Sequence, residues 1–287
     1  MSPFAEVSLV IQRELRKNFR SVKGIVLFIL SLLGGVGVTM IMVSLSGYLD
    51  RQMMANKGMD PQQLQAMKLG ALVELYGEDQ GKYLAAVPTV MLIMFNVMVW
   101  LAPLLIVLMG FDAISGETQH RTVRYWTVRT RRSSYYVGKI LGLWTVNSAV
   151  WLVMSIVVWI IAAARDEAAI GECVGWGVRL WLITLPMSGA WVAIATLVAS
   201  QFRGPMISLL GTLGAFFVIW LLYISNAHLY SSGKVAYRPL AYIYPNFYQE
   251  FLLAPHFGRF ATGLLPCLGI TALLAGLGAW RFQTRDV

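Results

Sequence analysis

Residues 25–46 read IVLFILSLLGGVGVTMIMVSLS, without a single Asp, Glu, Lys, Arg or His. A helix needs about 20 apolar residues to cross the hydrocarbon core of a bilayer, so this stretch reads as a membrane span. It is too long for a signal-peptide core and lacks an A-x-A cleavage site, so it is expected to be retained. Five further segments share its character, at about 88–111, 140–164, 180–199, 206–225 and 261–280, and none of them contains an ionisable side chain. The composition agrees. Of 287 residues 57% are hydrophobic and 13% charged, against about 25% charged in an average soluble domain. That excludes a soluble enzyme domain, a disordered chain and a disulfide scaffold. Cys173 and Cys267 are the only cysteines, which leaves either one bridge or two free thiols.

An even number of spans puts both termini on one side. The segments 1–24, 112–139, 200–205 and 281–287 together hold 14 positive and 5 negative charges; the opposite set (47–87, 165–179 and 226–260) holds 9 and 9. The whole net charge of +9 belongs to the first set. By the positive-inside rule both termini are expected in the cytoplasm. This placement removes most of the case for a nucleic-acid partner. The basic segments suit anionic lipid headgroups, or they simply set topology. Trp144 and Trp159 read as interfacial anchors, and mid-span Trp100 as a packing residue.

Outside the spans no block is large enough for a separate catalytic domain. Phe4, Val7, Ile11, Leu15, Phe19 and Val22 recur at the helical period, with Arg13, Arg16, Lys17 and Arg20 off that stripe. This predicts an amphipathic interface helix over 4–22, serving as an anchor or as a surface held by a partner. In the first outer loop Asp60 reads as an N-cap, Pro61 as the first helical residue and Gly77 as the stop, with Leu64, Met67, Ala71 and Leu75 on one stripe. That helix either caps the bundle or docks an external protein. The run from Leu240 to Pro255 is aromatic, apolar and broken by Pro245, so short interfacial or re-entrant helices are expected there.

The loop after the second span reads FDAISGETQHRTVRYWTVRTRRSSYYVGK over 111–139. Thr122 is expected to lead a short helix in which Val123, Trp126 and Thr127 share a face, with Glu117, Arg121 and Arg124 presenting charge to the cytosol. This loop resembles the coupling region of type-2 ATP-binding cassette (ABC) exporter permeases. The resemblance rests on Asp112, on Ile114-Ser115-Gly116-Glu117, on Thr122, on Arg131-Arg132-Ser133, and on Gly138-Lys139 opening the third span. Arg13-Glu14-Leu15-Arg16 in the interface helix, the six spans and the stretch around Tyr244-Pro245 are similar too. Two features depart from the family pattern: Arg121 stands where a glycine usually precedes the Thr, and Val-Arg-Tyr-Trp replaces a more apolar helix.

The resemblance implies an all-α membrane protein with six transmembrane helices, an N-terminal amphipathic interface helix and short re-entrant helices before the last span. It implies a single permease domain over 1–287, integral to the plasma (inner) membrane. A separate ATPase subunit, in two copies with its ATP and Mg, would bind Arg13, Glu14, Arg16, Arg20, Asp112, Ser115, Gly116, Glu117, Arg121, Thr122, Arg131, Arg132, Gly138 and Lys139. A second permease would complete a homo- or heterodimer. This chain itself carries no cofactor and no catalysis. Independently, Gly81-Lys82, Gly138-Lys139 and Gly233-Lys234 all lack the upstream glycine and following Ser/Thr of a P-loop. Ion-coupled transporters carry ionisable groups within the bilayer, which these spans lack, so the motor is expected outside the chain.

An uncharged span interior suits an apolar or amphipathic cargo. Asn96 and Asn147 are the polar exceptions; they either line a pathway or bond a neighbouring helix. An intramembrane protease is disfavoured because His120, His228 and His256 read as loop residues and Ser188 has no base nearby. The alternative to export is an ATP-coupled membrane scaffold, a mechanotransmission subunit that anchors an envelope or motility complex.

Overall fold

The computed structural model describes residues 2–57, 60–165, 168–231 and 239–284. Part of the outer stretch, 232–238, lies outside the described residues. The described residues are mostly helical, with no strand among them. Six helices among them are long and apolar enough to cross a membrane.

The chain opens with α1 (Pro3–Arg20), where the Ala5 N–H bonds the Ser2 hydroxyl at 3.3 Å and Pro3 takes the first turn. Both choices suit a helix start, because the first N–H groups have no partner within the helix. Ser21 is extended (φ −80°, ψ 143°) and ends α1. Its hydroxyl then accepts the Gly24 N–H at 3.0 Å and so opens α2 (Val22–Lys57). The corner is tight enough to require glycine: a Cβ at Gly24 would sit 1.7 Å from the Asn18 carbonyl oxygen.

In the outer loop α3 (Pro61–Tyr76) begins and ends as its sequence predicts, and Gly77 stops it at φ 86°, a left-handed conformation that favours glycine. The stripe is less buried than its spacing suggests. Leu64 is buried, while Met67 and Leu75 are exposed. A second helix that the sequence did not announce, α4 (Glu78–Ala85), packs on α3 so closely that a Cβ at Gly81 would meet the Val73 backbone at 2.7 Å.

The centre of the bundle is α5 (Thr89–Gly110), α8 (Arg132–Ala164) and α9 (Ile170–Ala199), meeting around Phe95, Trp151, Met154 and Trp191. Two short helices, α6 (Ser115–Gln119) and α7 (Val123–Thr127), lie between α5 and α8. α10 (Pro205–Ser231) and α12 (Phe257–Thr284) flank the core. Burial separates the roles: 78% of the apolar window of α9 is covered, but only 17% in α2 and α10 and 11% in α12. Between α10 and α12 the chain forms two 3-10 turns, Pro239–Ile243 and Pro245–Tyr248, and a single helical turn, α11 (Gln249–Leu252). Tyr244, Tyr248 and Leu252 of this segment are buried.

Several expectations change. The helices outrun the apolar segments, because a helix continues once its ends reach polar surroundings. α9 starts ten residues before 180 and carries Arg179, which donates to the Ala254 carbonyl at 3.4 Å and lies 4.8 Å over the Tyr83 ring. α8 starts at Arg132 and so includes Lys139, fully buried. The long helices are therefore not free of charge, as the apolar segments are. His228 lies in the last turn of α10 rather than in a loop. Trp100 does not pack inside, being 67% exposed. Trp144 points its indole N–H inward, to the Leu185 carbonyl and the Ser188 hydroxyl, each at 3.0 Å.

Candidate functional site

The face of α1 that meets the bundle is not the apolar stripe. Phe4, Phe19 and Val22 are exposed, and the buried residues are Glu6, Val10 and Glu14, which repeat every four residues. That face lies along the start of α8, where two glycines make room. A Cβ at Gly138 would come within 2.6 Å of Val10 Cβ, and one at Gly142 within 2.7 Å of Glu14 Cβ. The apolar stripe flanks that face: Val7 and Ile11 are half-buried and Leu15 packs against the core, while Phe4 and Phe19 are left for the lipid interface.

Two buried carboxylates need counter-charges, because an unpaired charge away from water is very costly. Lys139 Nζ supplies them both, 2.6 Å from Glu14 Oε1 and 2.6 Å from Glu117 Oε1. Glu117 also takes Arg13 at 3.0 Å and the Tyr135 hydroxyl, which donates to its Oε2 at 2.6 Å. Two acids thus balance two bases across α1, α6 and α8. At the edge of the cluster Arg13 lies 4.3 Å over the Trp126 ring. Glu6 closes the other end: its carboxylate accepts the Arg131 N–H at 3.1 Å. The Ser134 side chain and that N–H hold its carboxyl below its ordinary range. Lys23 at the top of α2 pairs with Asp112 at 2.6 Å and lies 4.1 Å from the Phe111 ring centre.

The structure thus gathers Arg13, Glu14, Asp112, Ser115, Glu117 and Lys139 into one region, but as a mostly internal network. Glu117 and Glu14 do not present charge to solvent, because Lys139 draws both inside. Ser115 is buried and donates to the Phe111 carbonyl at 2.7 Å. The Gly116 N–H bonds the Asp112 carbonyl at 3.1 Å. Thr122 does precede α7, yet its hydroxyl donates to the Glu117 carbonyl at 3.2 Å rather than capping the helix. Val123 is buried, and Trp126 is half-buried. Arg132 donates to the Gln283 carbonyl at 3.1 Å, tying this end of α8 to α12.

Arg16, Arg20, Arg121 and Arg124 remain exposed. Arg121 has φ 56°, the left-handed region that glycine adopts without strain. The outer surface also shows Tyr125 and Val128, 77% and 86% exposed. A cleft of about 770 Å³ opens between α1 and the chain after α7, lined by Gln12, Arg13, Arg16, Lys17, Trp126 and Arg129 among others. Glu6, Lys23, Tyr135 and Trp126 were not singled out as site residues. Glu6 had a local signal, standing eight residues before Glu14 on one helix face.

Of the two asparagines only Asn96 bonds another element; the buried Oδ1 of Asn147 has no hydrogen-bond partner among the described residues. Asn96 donates to the Leu92 carbonyl at 2.9 Å and accepts from Gln249 at 2.9 Å. Asn147 is fully buried and donates to the Leu143 carbonyl at 3.0 Å. Cys173 and Cys267 are both buried thiols, and no disulfide joins them. Among the described residues no His, Cys, Asp and Glu side chains assemble into a group able to hold a metal ion.

Comparison with known proteins finds no match among curated sequences. A family model does match, that of the ABC-2 family transporter proteins, over residues 9–287. The match begins within the interface helix and spans the ion-pair cluster and all six long helices, and the family implies an ATPase partner. The chain therefore belongs to the ABC-2 transporter family and is a membrane permease component of an ABC transporter.

Proposed function

We propose that the chain forms the translocation pathway of an ATP-driven exporter, and that a separate ATPase subunit grips it through α1 and the loop 112–131. The observation that carries this reading is the Glu14–Lys139–Glu117–Arg13 network. It locks the interface helix, α6 and α8 into one body, so a push on α1 or on the loop is delivered to the bundle. The cleft beside Trp126, with Tyr125 and Val128 next to it, is the contact surface, and the buried members act by holding that surface in place. Arg16, Arg20 and Arg121 face the partner directly.

The uneven distribution of Lys and Arg supports cytoplasmic termini and an inner-membrane location. The poorly covered faces of α2, α10 and α12 leave room for a second permease, giving two permeases and two ATPases. The segment 239–256 is re-entrant: Asn246 reaches the carbonyl of Val99, which lies about midway along the 22 residues of α5. A cargo that is apolar or amphipathic fits an interior whose buried Lys139 is neutralised by Glu14 and Glu117.

The test is gentle extraction of the tagged chain with identification of co-purifying proteins, followed by ATP hydrolysis and export assays in vesicles. A stoichiometric P-loop ATPase and ATP-dependent cargo movement are expected. An envelope protein in the complex, with hydrolysis that no cargo stimulates, would replace export by mechanical work on that partner. Absence of any ATPase from a monodisperse preparation overturns the coupling assignment.

A further inference from the structure

α5 carries one internal proline, Pro103. A proline inside a helix offers no N–H to the carbonyl four residues back, and its ring crowds that carbonyl. Here the carbonyl belongs to Val99, which is buried. Within a membrane an unpaired carbonyl must find a partner in the protein. The partner comes from a distant part of the chain: Asn246 Nδ2 donates to the Val99 oxygen at 3.0 Å. The same amide accepts the Trp191 indole N–H through its Oδ1 at 2.8 Å. Three residues before Val99, Asn96 accepts from Gln249 at 2.9 Å. The segment before α12 is thus fastened to α5 on one side of Pro103. On the other side α5 runs into Asp112, paired with Lys23, and on to Glu117 in the ion-pair network.

We infer that Pro103, Val99 and Asn246 form a clasp, in which the amide of Asn246 holds the carbonyl freed at the α5 hinge and lets go when the network end of α5 moves. Breaking the bond opens no helix hydrogen bond, since the ladder is already interrupted there, and the released carbonyl is then met by water entering beside the loosened segment. Release loosens the segment 239–256 from α5, so a motion at the loop is read out at the opposite end of the helix. The clasp rests on the reading that an ATPase moves the loop.

The test uses the full chain with its co-purified ATPase in lipid nanodiscs. Cys173 and Cys267 are replaced by Ala, and Ala241→Cys in the first 3-10 turn, where Ala241 is buried, serves as reporter. Its labelling rate by a polar maleimide is compared at rest and after trapping with ATP and vanadate. The reference chain is expected to label about ten-fold faster when trapped, the scale of one lost hydrogen bond. Asn246→Leu should label fast in both states. Pro103→Ala restores the main-chain bond to Val99 and should label slowly in both, while ATPase still co-purifies and hydrolyses ATP. Because Pro103→Ala repairs a helix, it remains informative even if Asn246→Leu fails to fold. An ATP response in Pro103→Ala equal to that of the reference overturns the clasp and leaves the coupling reading standing. A reference complex that lacks ATPase overturns the coupling reading and the clasp with it, whereas one that hydrolyses ATP with unchanged labelling overturns the clasp alone.

Discussion

Lys139 Nζ lies 2.6 Å from Glu14 Oε1, joining the first helix to the start of α8 across 125 residues of sequence. Both side chains are withdrawn from solvent, at 0% and 2% exposure. Such a pair contributes little beyond what well-packed apolar residues would, but removing one partner strands the other. Here the lysine serves two acids: its loss strands Glu14 and leaves Glu117 to Arg13 and the Tyr135 hydroxyl.

Lys139→Met is therefore expected to destabilise the protein by about 3–5 kcal/mol. The triple variant Glu14→Leu, Glu117→Leu, Lys139→Met should recover most of that loss, since no buried acid is then left unpaired. Thermal unfolding in mild detergent measures both. A Lys139→Met protein that melts with the unaltered chain would show that the network is not buried.

The conformation of Arg121 leads to a gain rather than a loss. At φ 56° a side chain is crowded against the backbone, and this one is exposed. Arg121→Gly should stabilise the loop by about 1 kcal/mol, the difference between strain relieved and chain entropy lost. Differential scanning of the two proteins decides it, with a lowered midpoint as the contrary result. The family's usual glycine at this place has its physical reason in that angle.

Val128 and Tyr125 test the contact surface without touching the network. Val128→Asp should leave the melting temperature unchanged, as exposed substitutions stay within about 0.5 kcal/mol. It should lower recovery of the ATPase with the tagged chain about ten-fold or more, as loss of a contact residue does. Full recovery would move the docking surface elsewhere. Charge reversal at Glu117 is a poor probe of docking, because it disturbs the buried pair first.

Glu6 gives the docking of α1 a pH dependence. Its carboxyl is held below its ordinary value of 4.5 by the Ser134 side chain and the Arg131 N–H. A carboxyl with a lowered folded pKa adds stability that is complete above its unfolded value and disappears as pH falls through the folded one. The melting difference between the unaltered protein and Glu6→Gln should thus be largest at neutral pH and shrink below pH 4.5. A difference that stays constant on acidification would mean that the Glu6 bonds do not depend on its charge.

Much of the architecture is local and was legible for that reason. Span length is set by the thickness of the bilayer, so apolar runs located all six long helices. Both ends of α3, at Asp60-Pro61 and Gly77, follow from backbone groups that only neighbouring residues can satisfy. The motif from Asp112 to Lys139 marked the region where the ion pairs gather. What the sequence left open is every property that depends on a distant partner. The apolar stripe of α1 identified a helix but not its packed face, which belongs to Glu6, Val10 and Glu14 because the two acids on α1 are answered by Lys139 and the Arg131 N–H at the start of α8. Charged residues were read as exposed, and Glu14, Glu117 and Lys139 are not, since each neutralises another only after α1 docks. The outer helix α4 and the tie from Asn246 to Val99 were equally invisible. Periodicity and caps report what a residue's neighbours demand, whereas burial of a charge or rescue of a freed carbonyl is decided by whichever group the completed fold brings within about 3 Å.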